Sequence, residues 1–289
     1  NTVYEILNKL RNIYGIPFLV VEPAKGEYKN VFGQFSDVTV YGTNPKKSKL
    51  LKINPFRFPK DVHVLEHLDR LVEIFNVCWP MYAAMPAILK EAIEKGDKIT
   101  IYGDYDCDGV SSTSILYKGL KRCNANFNYH IPDREDEGYG MNSKRVKILN
   151  EEGTKVILTC DNGIAAFEEI DLAEKLGMDV ILTDHHDIPL VKDENGETNK
   201  EIPKAYAVIN PKQEDCNYPF KSLCGAGIAF KFICALYKEL GVPQKEALEL
   251  LEICAIATVC DVVDLLGENR IIVKNGLEML NNTKNKGLI

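Results

Sequence analysis

Short apolar runs alternate with amphipathic segments between residues 97 and 224. Apolar runs of strand length indicate strands buried on both faces, and longer segments with apolar residues every three or four positions indicate helices. The alternation predicts an α/β fold with a doubly wound, mostly parallel sheet and right-handed crossovers. The expected strands are 98–103, 126–132, 155–160, 178–184 and 205–210, the expected helices are 110–122, 142–152 and 165–176, and a polar surface loop is expected at 193–200.

The segments on either side of this alternation have helical spacing. Apolar residues recur at three- and four-residue intervals over 61–95, and Gly96 suits the end of that helical lead-in. Residues 225–282 are mostly helical in pattern, with Gly241 and Pro243 separating two helices. The expected domains are a small mixed N-terminal extension at 1–60 and one α/β domain at 61–289, made of the lead-in 61–96, a core 97–224 and a helical part 225–289.

The charge of the chain is divided unevenly. The 289 residues carry a net charge of −7, but residues 1–60 hold ten Lys/Arg and four Asp/Glu, a balance of +6, so the rest carries −13. The basic stretch PKKSKLLK (45–52) is either a solvated loop or a surface that attracts phosphate groups beside an acidic catalytic domain. The sequence leaves both interpretations open.

The cysteines and the apolar runs indicate the cellular setting. Nine cysteines are scattered without a CxxC pair, which favours reduced thiols over disulfides or a zinc site. No apolar run reaches 18 residues, and the N-terminus lacks the apolar core of a signal peptide. We therefore expect a cytoplasmic protein that does not enter membranes.

Polar residues follow three of the expected strands at the point where each strand ends. Asp104, Asp106 and Asp108 follow the first strand, Asp161 follows the third, and TDHHD (183–187) ends the fourth. The carboxyl ends of parallel strands meet at one edge of the sheet, where such folds bind ligands. Crowded carboxylates repel one another, and divalent cations remove that repulsion. Carboxylates together with imidazole suit manganese, iron or zinc.

Two other metal motifs can be excluded or discounted. A calcium-binding EF-hand loop that starts at Asp104 would need Glu at its twelfth position, which is Ile115, and a helix before the loop, where the pattern predicts a strand. HVLEH (63–67) has the form of a zinc-peptidase motif, but its His and Glu residues lie on the polar side of an expected helix without a third ligand. A solvated helix face explains that stretch.

Five motifs in order resemble the DHH phosphoesterase superfamily and, within it, the RecJ single-strand-specific exonucleases. The resemblance covers residues 54–289. Its motifs are IYGDYDCDG (101–109), IPDREDEGYGMN (131–142), TCDNGI with TDHHD (159–164 and 183–187), CGAGIAFKF (224–232) and ATVCDVVDLLGENR (257–270). The resemblance implies a metal-dependent exonuclease that uses two divalent cations, with Mn²⁺ expected and Mg²⁺ as the alternative.

The resemblance also implies residue roles. His186 resembles a residue that contacts the scissile phosphate, Asp184 one that orients the histidines, and Asp104 a further acidic member of the cluster. Arg134 is either a phosphate contact or a surface residue. Gly225 and Gly227 form either a phosphate-binding helix N-terminus or a helix-packing site. The implied metal ligands are Asp106, Asp108, Asp161, His185 and Asp261.

The resemblance implies a substrate and partners as well. Single-stranded DNA cleaved from the 5′ end is the expected substrate, single-strand-binding protein and other DNA repair and recombination factors are candidate partners, and a monomer is favoured. Tyr102 departs from the pattern because many relatives have His there, which implies one nitrogen ligand fewer for the first metal. The second, substrate-gripping domain of RecJ proteins is not found in these residues, so we expect metal binding with a weakened hold on substrate.

Two rival functions remain. The same site with a smaller substrate would be a phosphodiesterase of short oligonucleotides or cyclic dinucleotides. A RecJ-like protein that only binds would need degraded metal ligands, and nearly all of the expected ligands are present here.

Overall fold

The computed structural model describes residues 84–192 and 198–289, together with isolated positions between residues 5 and 35. The chain divides into two compact units, Asn1–Arg57 and Phe58–Ile289. The predicted domain boundary at residue 60 and the HVLEH stretch lie outside the described residues, so both interpretations stay predictions.

The centre of the second unit is a parallel sheet that confirms the predicted α/β class. Five strands of the described chain form it in the order β2-β1-β3-β4-β7, and every neighbouring pair is parallel. The inner strands are buried, whereas β2 lies at an edge and is only partly buried. The strands are β1 Ile99–Tyr102, β2 Phe127–His130, β3 Val156–Thr159, β4 Asp179–Thr183 and β7 Ala207–Ile209.

Helices cover the sheet and extend the fold beyond it. The predicted helical part after residue 225 contains four helices rather than two. Its third helix, α7, is apolar around most of its circumference and is packed against α2, α5 and α8, as expected of a helix without a polar face. The helices are α1 Ala84–Lys95, α2 Cys107–Arg122, α3 Ser143–Glu151, α4 Phe167–Lys175, α5 Gly225–Leu240, α6 Gln244–Leu248, α7 Leu251–Cys260 and α8 Gly267–Leu280.

The prediction of a loop at 193–200 is partly wrong. An antiparallel pair is formed by β5, Leu190–Lys192, and β6, Thr198–Lys200. All three residues of β6 are exposed, so the strand has no apolar alternation from which it could be recognised.

No helix in the described part of the chain is long and apolar enough to cross a membrane.

A close contact between α7 and α8 generates a stability prediction. A Cβ atom on Gly276 would lie 2.3 Å from Ala255 Cβ and 2.6 Å from the Leu251 carbonyl oxygen. Alanine is favoured over glycine in helices by about 1 kcal/mol. Overpacking, however, costs about 1–3 kcal/mol, and the cost is at its upper end here because a side-chain rotation cannot relieve a clash with the backbone. Gly276→Ala should therefore lower the free energy of unfolding by about 1–2 kcal/mol.

Chemical denaturation measures this difference, with Gly287→Ala as the matched control. The nearest atom to a Cβ at Gly287 is 3.6 Å away, so that variant should stay within about 0.5 kcal/mol of the wild type. Equal stability of the two variants would contradict the packing described here.

Candidate metal centre

Acidic residues and histidines converge at the carboxyl edge of the sheet. Because β1, β3 and β4 are neighbours, the turns that follow them are neighbours too. Those turns bring Asp104, Asp106 and Asp161 into one group, whose carboxylate oxygens lie within 4.8 Å of one another, and Asp161, His185 and His186 into a second. The sequence pattern predicted this convergence, and the structure places these residues together.

His185 lies between carboxylates from three separate parts of the chain. Its Nε2 atom is 3.1 Å from Asp161 Oδ1 and 3.6 Å from Asp108 Oδ2, and its Nδ1 atom is 3.9 Å from Asp261 Oδ2. Burial lowers the pKa of His185, which favours the neutral imidazole that binds metals. Four of the five residues expected to bind metal therefore surround one point.

The N-terminus of α5 holds the carboxylate of Asp108. The backbone N–H of Gly225 donates to Asp108 Oδ2 over 2.5 Å, and that of Ala226 donates to Oδ1 over 2.9 Å. A helix N-terminus stabilises negative charge through its free N–H groups and its dipole. The N–H groups expected to contact phosphate are thus occupied by a carboxylate of the centre itself. Gly227 is buried against Leu223 and does not reach the surface.

Asp106 and Asp104 have different environments. Asp106 is exposed and caps α2, with its Oδ1 accepting from the Gly109 N–H over 2.9 Å. Because of this cap, α2 begins three residues before residue 110, where the sequence pattern predicted its start. The spacing of apolar residues gives no information about such a side-chain cap. Asp104 is buried, and burial raises the pKa of its carboxyl. A Cβ on Gly109 would lie 2.5 Å from the Asp104 carbonyl oxygen, so the turn requires glycine at this close approach.

Asp184 organises the histidine loop. One of its oxygens accepts from the His185 and His186 N–H groups and from His186 Nδ1, and the other accepts from the Ile164 N–H. Burial opposes ionisation of Asp184, but the hydrogen bonds from His186 and the backbone outweigh it and lower the pKa of the carboxyl. The hydrogen bond between His186 Nδ1 and the Asp184 carboxylate raises the pKa of His186. Asp184 thus positions both histidines and favours the cationic form of His186.

The remaining carboxylates lack sufficient positive partners. Asp104 Oδ1, Asp161 Oδ1 and Asp261 Oδ2 are buried atoms that have no hydrogen-bond partner among the described residues. Burial and the charge of Asp108 raise the pKa of Asp161 far above the usual range and that of Asp261 to about 6. Orphaned carboxylate oxygens beside a neutral imidazole match the donor set of a divalent transition metal. These residues therefore fit the expected cations.

Comparison with known proteins places the chain in a family. The profile described as the DHH family, N-terminal domain, matches residues 98–258, more than half of the chain. The chain belongs to the DHH family. The single-stranded-DNA-specific exonuclease RecJ of Bacillus subtilis is 46% identical over 200 residues, which are 69% of this DHH protein and 23% of that RecJ. RecJ of Escherichia coli is 36% identical over 203 residues, 67% of this chain and 33% of that protein.

Solved structures of RecJ share the fold. A crystal structure of exonuclease RecJ bound to manganese has 35% identity and a TM-score of 0.62, and covers 71% of this DHH protein and 49% of that chain. RecJ of Thermus thermophilus in complex with Mn²⁺ has 32% identity and a TM-score of 0.59, over 72% and 28% of the two chains. These likenesses confirm the predicted resemblance and fold class. The chain spans about a quarter to a third of the length of the two curated relatives above.

The backbone of this DHH protein is strained at two points of the centre. Asp161 has a φ of 62°, and Val262, which follows Asp261, has a φ of 58°. This left-handed region is unfavourable for a non-glycine residue and most unfavourable for a β-branched one such as valine. A Cβ atom added to Gly225 would lie 2.7 Å from Asp161 Cβ. The N-terminus of α5 can therefore approach Asp161 this closely only because residue 225 is glycine. Strain of this kind is concentrated at functional sites.

Two residues of the centre were missed in the sequence. The Tyr139 hydroxyl lies 3.3 Å from both ring nitrogens of His186 and donates to the Asp161 carbonyl oxygen. The buried Cys224 thiol groups with Asp108 and Asp261, and burial raises its pKa. Tyr139 and Cys224 both lie inside motifs used for the resemblance, but nothing in their spacing indicates these contacts.

Three other residues lie away from the carboxylate groups. The Tyr102 side chain is fully buried in the apolar core, and its hydroxyl accepts from the Asn142 N–H over 3.3 Å. The predicted loss of a nitrogen ligand at this position stays a prediction. Arg134 is exposed with its guanidinium 5.4 Å from the centre of the Tyr105 ring. Asp264 is outside every candidate metal group of the described residues.

The Asp184–His186 bond generates a prediction about proton affinity. The pKa of His186 is raised in the folded protein, so the cationic imidazole stabilises the fold. This stabilisation is complete below the ordinary histidine pKa of about 6.5 and is lost as the pH rises through the folded-state pKa of His186. Asp184→Asn should return the pKa of His186 toward about 6.5. An NMR pH titration of the metal-free protein measures it, with His130 as an internal control. An unchanged His186 pKa in the variant would contradict the assignment.

The glycine pair of α5 generates a second prediction. Gly225→Ala places a methyl group against Asp161 and displaces the N–H groups that hold Asp108, so the Mn²⁺ affinity should fall about 10–100-fold. Gly227→Ala is the matched control, because its Cβ would meet only the flexible Leu223 side chain at 3.2 Å. Isothermal titration calorimetry compares the two. Equal Mn²⁺ affinities would show that the α5 N-terminus does not support the centre.

Proposed function

We propose that this DHH protein is a metal-dependent phosphodiester hydrolase that removes nucleotides from single-stranded DNA. The observation that carries this proposal is the set of buried, unpaired carboxylate oxygens around His185. A site of this composition is suited to divalent cations, and a group of cations is suited to the charged oxygens of a phosphodiester. The similarity to RecJ exonucleases supports single-stranded DNA as the substrate.

Five residues would hold two divalent cations, with Mn²⁺ preferred and Mg²⁺ as the alternative. When bound, such cations lower the pKa of a coordinated water toward neutrality and stabilise negative charge on phosphate oxygens. Asp161 is the shared carboxylate in this proposal, because it is the one residue common to both groups at the strand ends. The full set is Asp106, Asp108, Asp161, His185 and Asp261.

His186 would contact the scissile phosphate. Its side chain is the more exposed of the two histidines, and its bond to Asp184 favours the cationic form that can donate to a phosphate oxygen. The Tyr139 hydroxyl also contacts this ring, at 3.3 Å from both of its nitrogens. The ring is therefore held in place before substrate arrives, which is what stabilisation of transition-state charge requires.

The proposed reaction places the protein in DNA repair and recombination. Removal of nucleotides from the 5′ end follows from the resemblance to RecJ, and single-strand-binding protein is the first partner to test. A protein that only binds DNA would not need this set of buried acids, because unpaired carboxylates cost stability without metal.

The test is a digest of single-stranded oligonucleotides labelled at either the 5′ or the 3′ end, with Mn²⁺. The wild type should release the 5′ label first and leave duplex DNA intact. Asp161→Asn should slow hydrolysis at least about 100-fold, because it weakens the shared ligand. Asp171→Asn, an exposed aspartate on α4, is the matched control and should retain the wild-type rate.

Three results would overturn the proposal or its details. Equal hydrolysis by the wild type and Asp161→Asn would reject the metal centre as the source of activity. Release of the 3′ label first would reject the proposed polarity. Cleavage of dinucleotides but not of longer strands would replace the exonuclease by a phosphodiesterase of short oligonucleotides.

A further inference from the structure

A groove of about 750 Å³ runs beside the metal centre, between the outer face of α2 and the edge strand β2. Its floor is a stripe of α2 residues at helical spacing that begins at Val110, two residues after Asp108, and reaches Lys121. Eleven residues of α-helix extend roughly 16 Å. The groove therefore begins near the N-terminus of α2, which Asp106 caps, and runs along α2 away from the carboxyl edge of the sheet.

The charge of this groove is opposite to that of the chain. Its described lining contains Lys118, Lys121 and Arg122 and no acidic residue, whereas the chain has a net charge of −7. Arg122 is bonded to Glu246 at the far end, while Lys118 and Lys121 form no salt bridge within the described residues and are exposed. Exposed cations along a groove attract an anionic ligand.

Two exposed tyrosines that line the groove pack edge to face against each other. Tyr117 on α2 is 37% exposed and Tyr129 on β2 is 55% exposed, with ring centroids 5.8 Å apart and ring planes at 84°. Lys121 lies over the Tyr117 ring with its Nζ 5.8 Å from the ring centre. Basic residues interleaved with aromatic rings form the kind of surface that binds single-stranded nucleic acid, by phosphate contacts and base stacking.

The surface continues toward the metal centre. Ile131 ends the groove on the β2 side, and the same loop carries Arg134, whose guanidinium lies over Tyr105. The Tyr105 ring is 6.4 Å from that of Tyr139, which contacts His186. Aromatic and basic side chains therefore connect the groove to the residue proposed to contact the scissile phosphate.

We propose that the groove between α2 and β2 binds the part of a single-stranded nucleic acid that lies beyond the cleaved nucleotide. Lys118 and Lys121 contact its phosphates, and Tyr117 and Tyr129 stack on its bases. This inference rests on the proposed function, since it gives the same substrate a path from the metal centre. The groove then contributes to the binding affinity for the strand, whereas hydrolysis takes place at the metal centre.

Binding is measured separately from hydrolysis. The full chain carries Asp161→Asn to prevent cleavage, and fluorescence anisotropy follows a labelled oligothymidylate longer than about 16 nucleotides, the upper site size of a single binding module. Lys118→Gln/Lys121→Gln should weaken binding about 25-fold at 0.1 M salt and reduce the salt slope by about 1.4, since each phosphate contact contributes about 0.7. Tyr129→Ala should weaken binding at least about fivefold.

Matched controls exist among exposed residues that do not line the groove. Lys144 and Lys147 on α3 have the same three-residue spacing and are exposed, and Tyr206 is an exposed tyrosine before β7. Lys144→Gln/Lys147→Gln and Tyr206→Ala should bind like the parent protein. If the control variants weaken binding as much as the groove variants, the attraction is general and the groove is not the site.

Hydrolysis with an otherwise wild-type centre distinguishes this inference from the proposed function. Groove variants should cleave a dinucleotide at the wild-type rate and lose rate only on long strands at limiting concentration. Wild-type affinity in the groove variants, with hydrolysis intact, would overturn the proposal that the groove binds the strand. Loss of binding in the groove variants of a chain that hydrolyses neither substrate would support the groove and reject only the proposed reaction.

Discussion

The structure depends on the burial of several carboxylates at one edge of a parallel sheet. Asp104, Asp108, Asp161 and Asp184 are each no more than 2% exposed. Buried like charges repel one another and lose their hydration, so each needs a partner of opposite charge or a proton. Asp108 has the N-terminus of α5, and Asp184 has His186 and backbone N–H groups. Asp104 and Asp161 each keep an oxygen that no described residue satisfies, and divalent cations would complete their coordination.

The local backbone follows from that requirement. Asp161 adopts a left-handed conformation directly after β3, and α5 approaches it because position 225 has no side chain. The loop after β4 is fixed by Asp184, which accepts bonds from both neighbouring histidines. Strain and close packing are tolerated here because the rest of the sheet, with buried inner strands, supplies the stability that they cost.

The sequence predicted the parts of the fold that depend on local pattern. The inner strands were recognisable because both of their faces are apolar, and the acidic turns followed from the ends of those strands. The early start of α2 was missed because it depends on the side-chain cap of Asp106, and β6 was missed because its residues are all exposed. The bond between Asp108 and Gly225 joins residues 117 positions apart, and no spacing rule contains such a contact.

We propose that two divalent cations occupy the acidic cluster. Crystals grown with Mn²⁺ and measured at the manganese absorption edge test it most directly, because anomalous scattering locates each ion. A centre with two cations should give two peaks, both in contact with Asp161, with His185 and Asp108 among their ligands. One peak, no peak, or peaks away from these residues would contradict it.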